Sequence, residues 1–271
     1  MTTSPAAPDE PLVRLVHVEK SFGSRRVLRD VTIDVPRGRA TVIIGPSGCG
    51  KSVLLKHIVA LLRPTRGEVW FDGTRIDALS ESALVPFRRQ IGFLFQQGAL
   101  FDSMSVRENI EFPLLEHTTL SAKQRLDRVR DVLDMVGLAA TLDQMPGDLS
   151  GGQRKRIALA RAVILHPTLI LYDEPTTGLD PIRSDVINEL ILKLERELGV
   201  TSIIVTHDMI SAFKLADRMI MLHQGRVILQ GPPETFRQST DPLIQRFLLG
   251  EATEAELEAI RGARPRTETT A

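Results

Sequence analysis

Short apolar runs and longer segments with helical periodicity alternate along the chain. Leu169–Tyr172 and Ser202–Val205 are apolar without regular polar alternation. This pattern is typical of strands buried on both faces of a parallel sheet. The β-branched run Thr41–Ile44 favours the same interpretation. Three more short strands are predicted in the first 71 residues, at Val13–Glu19, Val27–Val35 and Glu68–Phe71.

Helices are predicted where apolar residues recur every three or four positions. Within Ser121–Val136 the apolar side chains on one helical face are Leu126, Val129, Leu133 and Val136. Ser121 and Gln124 have the spacing of a capping box, and Gly137 is a typical stop. Another helix is predicted over Leu54–Leu62.

A further helix is predicted to begin at Asp180 and Pro181, as cap and first-turn residue. Its apolar residues recur every four positions, at Ile182, Val186, Leu190 and Leu194. Strands that alternate with helices imply an α/β core. Residues from about 97 to 165 carry helical patterns without a clear strand, which predicts a helical insert in that core.

The ends of the chain differ in composition from the segment between them. Residues 1–11 are rich in Pro and Ala and are predicted to be disordered. We expect one domain over residues 12–250. The segment 251–271 is predicted to be an acidic, partly disordered C-terminal extension, either docked on a neighbouring subunit or solvated.

Composition narrows the possible partners. Lys plus Arg equals Asp plus Glu, at 34 each, which disfavours a general nucleic-acid binder because such proteins usually carry a basic surplus. A single cysteine excludes an internal disulfide and fits a reducing setting. We expect no secretory signal, and the sequence contains no apolar run of about 20 residues. Any role at a membrane is therefore expected to depend on a partner.

A glycine-rich loop follows the run at 41–44 and precedes a predicted helix. Its residues are Gly45, Pro46, Ser47, Gly48, Cys49, Gly50, Lys51 and Ser52. Gly45 and Gly50 permit a tight turn whose N–H groups face phosphate oxygens, and the helix N-terminus adds positive potential. Lys51 would reach the β- and γ-phosphates, and the Ser52 hydroxyl would bind Mg²⁺. Cys49 is either a small filler of the loop or a reactive thiol with a lowered pKa.

Two acidic residues follow a buried strand. Asp173 and Glu174 come directly after the apolar run 169–172, at the sheet edge where ligands of open α/β sheets bind. Asp173 would hold Mg²⁺ and Glu174 would act as general base towards the attacking water. The same two residues also fit a solvated acidic turn before Pro175.

A second possible anion site lies at residues 149–153. A serine and two glycines precede a basic helix there, with the sequence Leu149, Ser150, Gly151, Gly152 and Gln153. The alternative without a binding function is a flexible loop with an N-cap serine. Since one triphosphate cradle is already present, a second cradle predicts a site completed by another subunit.

Together these motifs resemble the nucleotide-binding subunits of ABC transporters, over roughly residues 12–240. Residues 45–52 match the Walker A loop, 169–174 the Walker B strand with its catalytic glutamate, and 149–153 the signature sequence. Asp180, after Gly178 and Leu179, is similar to the D-loop aspartate, and His207 to the switch histidine. Gln96 rather than Gln97 resembles the Q-loop glutamine. Phe22 resembles the aromatic that stacks on adenine, although it also fits a core position.

The resemblance implies a fold and a mechanism. The fold is α/β, a P-loop NTPase (RecA-like) with a mostly parallel core sheet, an N-terminal antiparallel β subdomain and an α-helical ABC subdomain at about 97–165. Two copies would sandwich two ATP molecules, with Ser150 and Gly152 of one copy closing the site of the other. Glu174, His207, Lys51 and Gln96 would be catalytic. The implied Mg²⁺ ligands are Ser52, Gln96 and Asp173.

A narrower resemblance concerns the cargo. Gly98–Phe101, with the later Pro113-Leu114 and Glu116-His117, is similar to ATPases of Mla/MCE-type phospholipid transporters, as is Thr240–Leu248. Gln153 departs from these cassettes, which often have Met there. The implied partners are a multi-pass permease and an MCE-domain lipid-binding protein, with this chain on the cytoplasmic face of the inner membrane. Alternatives are a polar amino acid or other small-solute importer and a soluble ABC ATPase outside transport.

Overall fold

The computed structural model describes residues 10–252 and residue 257. The predicted disordered start and acidic extension lie almost wholly outside these residues. The strands are β1 Val13–Phe22, β2 Arg25–Val35, β3 Ala40–Ile44, β4 Arg66–Phe71, β5 Thr74–Arg75, β6 Ile91–Leu94, β7 Leu169–Asp173, β8 Thr201–Val205, β9 Arg218–His223 and β10 Arg226–Gly231. The helices are α1 Lys51–Ile58, α2 Glu81–Arg88, α3 Val106–His117, α4 Ala122–Met135, α5 Gly151–Val163, α6 Pro181–Leu198, α7 Met209–Leu215, α8 Pro233–Arg237 and α9 Pro242–Leu249. Two 3₁₀ turns, Ala139–Thr141 and Pro146–Asp148, precede α5.

The strands form two sheets, as the sequence predicts. One is antiparallel with the order β2-β1-β4-β5. The other has the order β10-β9-β3-β8-β7-β6, and its strands are parallel except for the β9–β10 pair. This architecture confirms the mixed α/β class, the parallel core and the antiparallel N-terminal sheet.

The parallel sheet is buried on both faces because alternate side chains of each strand enter opposite cores. In β7, Ile170 and Tyr172 pack with the helices that follow β6, whereas Leu169 and Leu171 pack with α1 and the antiparallel sheet. All four side chains are fully buried. The continuous apolar run therefore reflects two cores rather than one.

Local capping signals set several helix ends as predicted. Ser121 and Gln124 form a complete capping box on α4, and Gly137 beyond its end has a φ of 67°. Asp180 caps α6 by accepting a hydrogen bond from the Arg183 amide. Between β6 and β7 the described chain is helical, in agreement with the pattern over 97–165.

Two helix predictions need correction. The helix predicted over Leu54–Leu62 runs from Lys51 to Ile58, because it starts directly in the glycine loop and stops before Ala60, whose φ is 52°. In α6, Ile182 is 79% exposed and only the later apolar positions are buried. A repeat of four residues drifts around a helix of 3.6 residues per turn, so the apolar stripe winds away from solvent only towards the end of α6.

Candidate nucleotide-binding site

Neighbouring parallel strands bring the predicted chemistry to one edge of the sheet. β3 lies beside β8, and β8 lies beside β7, with Ile43 and Asp173 both in register with Val205. The glycine loop, Glu174 and His207 therefore follow adjacent strand ends. They border a cavity of about 580 Å³ whose lining is Phe22, Arg25, Val27, Ser47, Gly48, Gly50, Lys51, Ser52, Val53, Gln96, Glu174 and His207.

Two loop glycines are required by the backbone. Gly45 has a φ of 150°, and a Cβ there would lie 2.1 Å from the Leu222 carbonyl oxygen in β9. Gly50 has a φ of 111° and caps α1 in the left-handed conformation. Helix α1 begins at the next residue and has no acidic side chain in its first turn. Its free amides and dipole thus give the cavity a positive end.

The Lys51 ammonium lies inside this loop. It donates hydrogen bonds to the carbonyl oxygens of Gly45, at 2.6 Å, and Pro46, at 3.1 Å. The side chain is buried. A positive charge is consequently held at the position where the loop amides converge, which suits a polyphosphate.

Ser52 and Asp173 form an oxygen-rich pair beside the lysine. The Ser52 hydroxyl donates to Asp173 Oδ1 at 3.2 Å. Burial raises the pKa of Asp173, and the hydrogen bond from Ser52 opposes that rise. Among the described residues no cluster of three or more His, Cys, Asp or Glu side chains occurs. Two oxygen donors next to a phosphate site fit Mg²⁺, which usually takes one or two protein ligands and completes its shell with phosphates and water.

The Glu174 carboxylate is held by two side chains. Its Oε2 lies 2.7 Å from His207 Nδ1 and accepts a hydrogen bond from the Thr177 hydroxyl at 3.1 Å. Glu174 has a φ of 52°, a left-handed conformation that is uncommon outside glycine. Its amide donates to the Val205 carbonyl at 2.9 Å. The arrangement places a nearly buried carboxylate at the cavity wall, where it can accept a proton from water.

Phe22 and Cys49 resolve two alternatives that the sequence leaves open. Phe22 is 47% exposed at the end of β1, with the Lys20 ammonium 5.1 Å from its ring centroid. The core interpretation of Phe22 is therefore wrong. Cys49 is buried, and burial raises the pKa of its thiol despite the nearby Lys51. This direction is opposite to the lowered pKa that a reactive thiol requires, and the burial of Cys49 favours its interpretation as a small filler of the loop.

The signature residues lie apart from this cavity. Ser150 caps α5, and its hydroxyl accepts from the Gln153 amide while the Gln153 side chain accepts from the Ser150 amide. None of residues 150–153 is among the lining residues of the cavity within the described part of the chain. Asp180 also lies outside it, where it caps α6 and pairs with Arg183 at 3.2 Å.

Sequence reasoning missed three residues at or near the site. Arg25 lines the cavity opposite Phe22 in the β1–β2 hairpin. Thr177 holds the Glu174 carboxylate. Lys155 in α5 donates to backbone carbonyls next to Glu174, and burial lowers its pKa to about 8. Only Lys155 leaves a sequence signal, because it lies four residues before buried Leu159 on the inward face of α5.

A glycine loop between a parallel strand and a helix, with carboxylates at the end of a neighbouring strand, defines a P-loop nucleotide hydrolase. Comparison of the sequence with protein families identifies the family within this class. The profile of the ABC transporter family matches residues 28–177. The chain belongs to the ABC transporter family and is one of its ATP-binding, ATP-hydrolysing subunits.

Several individual proteins are similar to the chain. The probable ribonucleotide transport ATP-binding protein mkl of Mycobacterium leprae is 45% identical over 85% of this chain and 67% of its own length. The intermembrane phospholipid transport system ATP-binding protein MlaF of Escherichia coli K12 is 41% identical over 89% of this chain and 90% of its own length. A solved dimeric ATP-binding cassette in a post-hydrolysis state with ADP and Pi matches with a TM-score of 0.75 at 36% identity, over 81% of this chain and 98% of that one.

Proposed function

We propose that two copies of this chain bind two ATP molecules between them and that each site uses residues of both copies. The observation that carries this proposal is the glycine pair at the start of α5. A Cβ at Gly151 or Gly152 would meet its nearest neighbour only at 3.9 Å, an ordinary contact, and neither residue has a positive φ. Glycine is unfavourable in a helix, so close approach of a molecule from outside this chain explains the pair.

In the proposed site, Lys51 and the loop residues 45–52 bind the phosphates, and Phe22 and Arg25 border the nucleoside. Ser52, Asp173 and Gln96 would hold Mg²⁺, which neutralises phosphate charge when bound. Glu174 accepts the proton of the attacking water, and His207 orients that carboxylate and contacts the γ-phosphate. Ser150, Gly151, Gly152 and Gln153 of the second copy close the site, and Asp180 fixes the segment between β7 and α6.

Replacing Glu174 by glutamine tests this assignment. The full chain with Glu174→Gln should bind ATP, form a stable dimer in light scattering and hydrolyse ATP very slowly. The amide cannot accept the proton, yet it preserves the size of the side chain. Lys51→Ala is the matched control and should abolish the ATP-dependent dimer. Wild-type turnover by Glu174→Gln would contradict the general-base role.

We propose a membrane permease as the partner that the hydrolysis cycle moves. A second cavity, of about 460 Å³, lies beside β6, α3 and α5. It exposes aromatic side chains, since Phe95 and Phe101 are each about two-fifths exposed. Phe95 stacks on Phe93 at 4.1 Å, and Phe101 packs edge-on against Phe112 at 5.2 Å. An apolar groove of this kind suits a short helix from another protein.

The groove also suits a peripheral position at the inner membrane, through that permease. No helix in the described part of the chain has the length and hydrophobicity needed to cross a bilayer. The proposed domain boundaries agree with this arrangement. Residues 12–250 would form the ABC domain, the helical subdomain at about 97–165 would border the groove, and 251–271 would extend beyond the domain.

For the cargo we propose phospholipid, moved between bacterial membranes by an MCE-type complex. Support comes from the MlaF proteins of Escherichia coli and Haemophilus influenzae, both 41% identical and matched over at least 90% of their length. The mkl name favours a second candidate, ribonucleotide transport. Affinity purification from native membranes separates the two. Co-purified permease and MCE-domain protein with bound phospholipid, detected by mass spectrometry, would support lipid transport, whereas a solute-binding protein without lipid would contradict it.

A further inference from the structure

Lys155 occupies an unusual position for a lysine. It lies on α5, one and a half turns after Ser150, and its side chain is only 7% exposed. Its ammonium donates three hydrogen bonds to main-chain carbonyl oxygens in the segment after β7. The acceptors are Pro175 at 2.7 Å, Thr177 at 2.7 Å and Glu174 at 3.3 Å. All three N–H groups of the ammonium are therefore directed at one short stretch of backbone.

That stretch carries the proposed general base. Glu174 has a left-handed φ of 52°, which other contacts must maintain because a side chain disfavours it. Lys155 binds the carbonyl of Glu174 itself and the carbonyl of Thr177, whose hydroxyl in turn holds the Glu174 carboxylate at 3.1 Å. One ammonium thus fixes both the backbone of the base and the residue that orients its carboxylate.

The same helix starts with the signature residues. Five residues of α-helix span about 7.5 Å, so Ser150 and Lys155 belong to one rigid body. Leu179 also lies near the start of α5, since its Cδ2 would be 3.9 Å from a Cβ placed on Gly151. A displacement of the α5 N-terminus consequently moves the Lys155 ammonium, which holds the Glu174 carbonyl.

We propose that Lys155 is a positioning residue that links the two ATP sites of the dimer. The inference rests on the proposed function. Ser150 and Gly152 of one copy bind the nucleotide held by the second copy, whereas Lys155 of that first copy holds the Glu174 that serves its own nucleotide. ATP bound at one site therefore sets the general base at the other site through α5.

Substitution of Lys155 in the full chain tests this link. Lys155→Met keeps the apolar stem and removes the donors. We expect kcat for ATP hydrolysis to fall about 10- to 100-fold, because a displacement of ~1 Å in a catalytic group can lower a rate about 100-fold. The Hill coefficient for ATP should fall to about 1, since coupled sites lose their reciprocity when the link is removed. ATP affinity should not change, because Lys155 is outside the cavity lining.

Two further variants separate positioning from general stability. Lys155→Arg keeps the charge and several donors and should restore most of kcat and the Hill coefficient. Lys193→Met is the matched control, because the Lys193 ammonium also donates to a backbone carbonyl, that of Met135 at 2.9 Å, away from the site. It should match the wild type in both quantities. Equal losses in Lys193→Met and Lys155→Met would overturn the inference.

The Glu174→Gln background distinguishes this inference from the proposed function. Dimers should form with ATP in Glu174→Gln alone and in Glu174→Gln combined with Lys155→Met. If both dimerise but Lys155→Met otherwise turns over like the wild type, the link through Lys155 is refuted and the proposed function stands. If Glu174→Gln itself fails to dimerise, the proposed function fails and the link fails with it.

Discussion

Glu195 on α6 makes the stability of this protein depend on pH in a way that can be worked out in advance. Burial raises the pKa of its carboxyl group to about 7, the neighbouring Ser202 hydroxyl opposes the rise, and the charge of Asp217 adds to it. Glu195 Oε1, Tyr172 Oη and Ser202 Oγ are buried without hydrogen-bond partners in the described structure. A charged carboxylate is poorly solvated in such surroundings.

The sign of the effect follows from proton uptake. Between pH 4.5 and 7 the folded protein binds more protons at Glu195 than the unfolded chain does, so the free energy of unfolding falls as pH rises through that range. A pKa difference of about 2.5, at about 1.4 kcal/mol per pKa unit, means that ionisation of Glu195 lowers the free energy of unfolding by about 3 kcal/mol above pH 7. At pH 5 the same effect lowers the free energy of unfolding by less than about 1 kcal/mol.

Glu195→Gln removes the titration and keeps the shape of the side chain. In urea denaturation followed by circular dichroism, the variant should be more stable than the wild type by about 2–3 kcal/mol at pH 8 and by less than about 1 kcal/mol at pH 5. Glu197→Gln, on the exposed side of the same helix, is the matched control and should show no pH-dependent difference. A Glu195→Gln effect that is equal at pH 5 and pH 8 would refute the reasoning.

Three other predictions concern the glycine loop. Gly45→Ala should lower the free energy of unfolding by at least about 2 kcal/mol more than Gly48→Ala, measured by urea denaturation, because a Cβ at 45 overlaps backbone and a Cβ at 48 meets nothing within 4 Å. Cys49 should react with a thiol reagent far more slowly in the folded protein than in urea, since it is buried with a raised pKa. Ser52→Ala should raise the Mg²⁺ concentration needed for half-maximal turnover and weaken ATP binding more in the presence of Mg²⁺ than in EDTA.

Local signals explain why much of the fold is predictable. The strands β3, β7 and β8 consist mainly of apolar residues. The Ser121 capping box and the Asp180 cap depend on residues within one helical turn. Other elements lack such signals. Strand β6 has only four residues, and the alternating burial of β10 follows from its place at the sheet edge, which only the topology reveals.

The site divides in the same way. The loop residues and the acidic pair are recognisable because each motif consists of residues that are adjacent in sequence and act together at the nucleotide site. The role of Lys155 is not, because its spacing before Leu159 marks only an inward-facing position, whereas its hydrogen bonds depend on a contact between α5 and the segment after β7. The need for glycine at 45 depends on the Leu222 carbonyl, which is far away in sequence. Tertiary proximity of this kind leaves no mark on a single sequence.

Mixed dimers test most directly whether a second copy of the chain completes the ATP site. Lys51→Ala and Gly152→Asp each disable both sites of a dimer, but a mixed dimer retains one intact site. Gly152 tolerates a Cβ within its own chain, so the variant should fold. Each variant alone should be inactive in an ATPase assay, and an equimolar mixture should recover up to about a quarter of wild-type activity, because about half of the dimers are mixed and each has one working site. Wild-type turnover by Gly152→Asp alone, or a mixture no more active than its parts, would contradict the composite site.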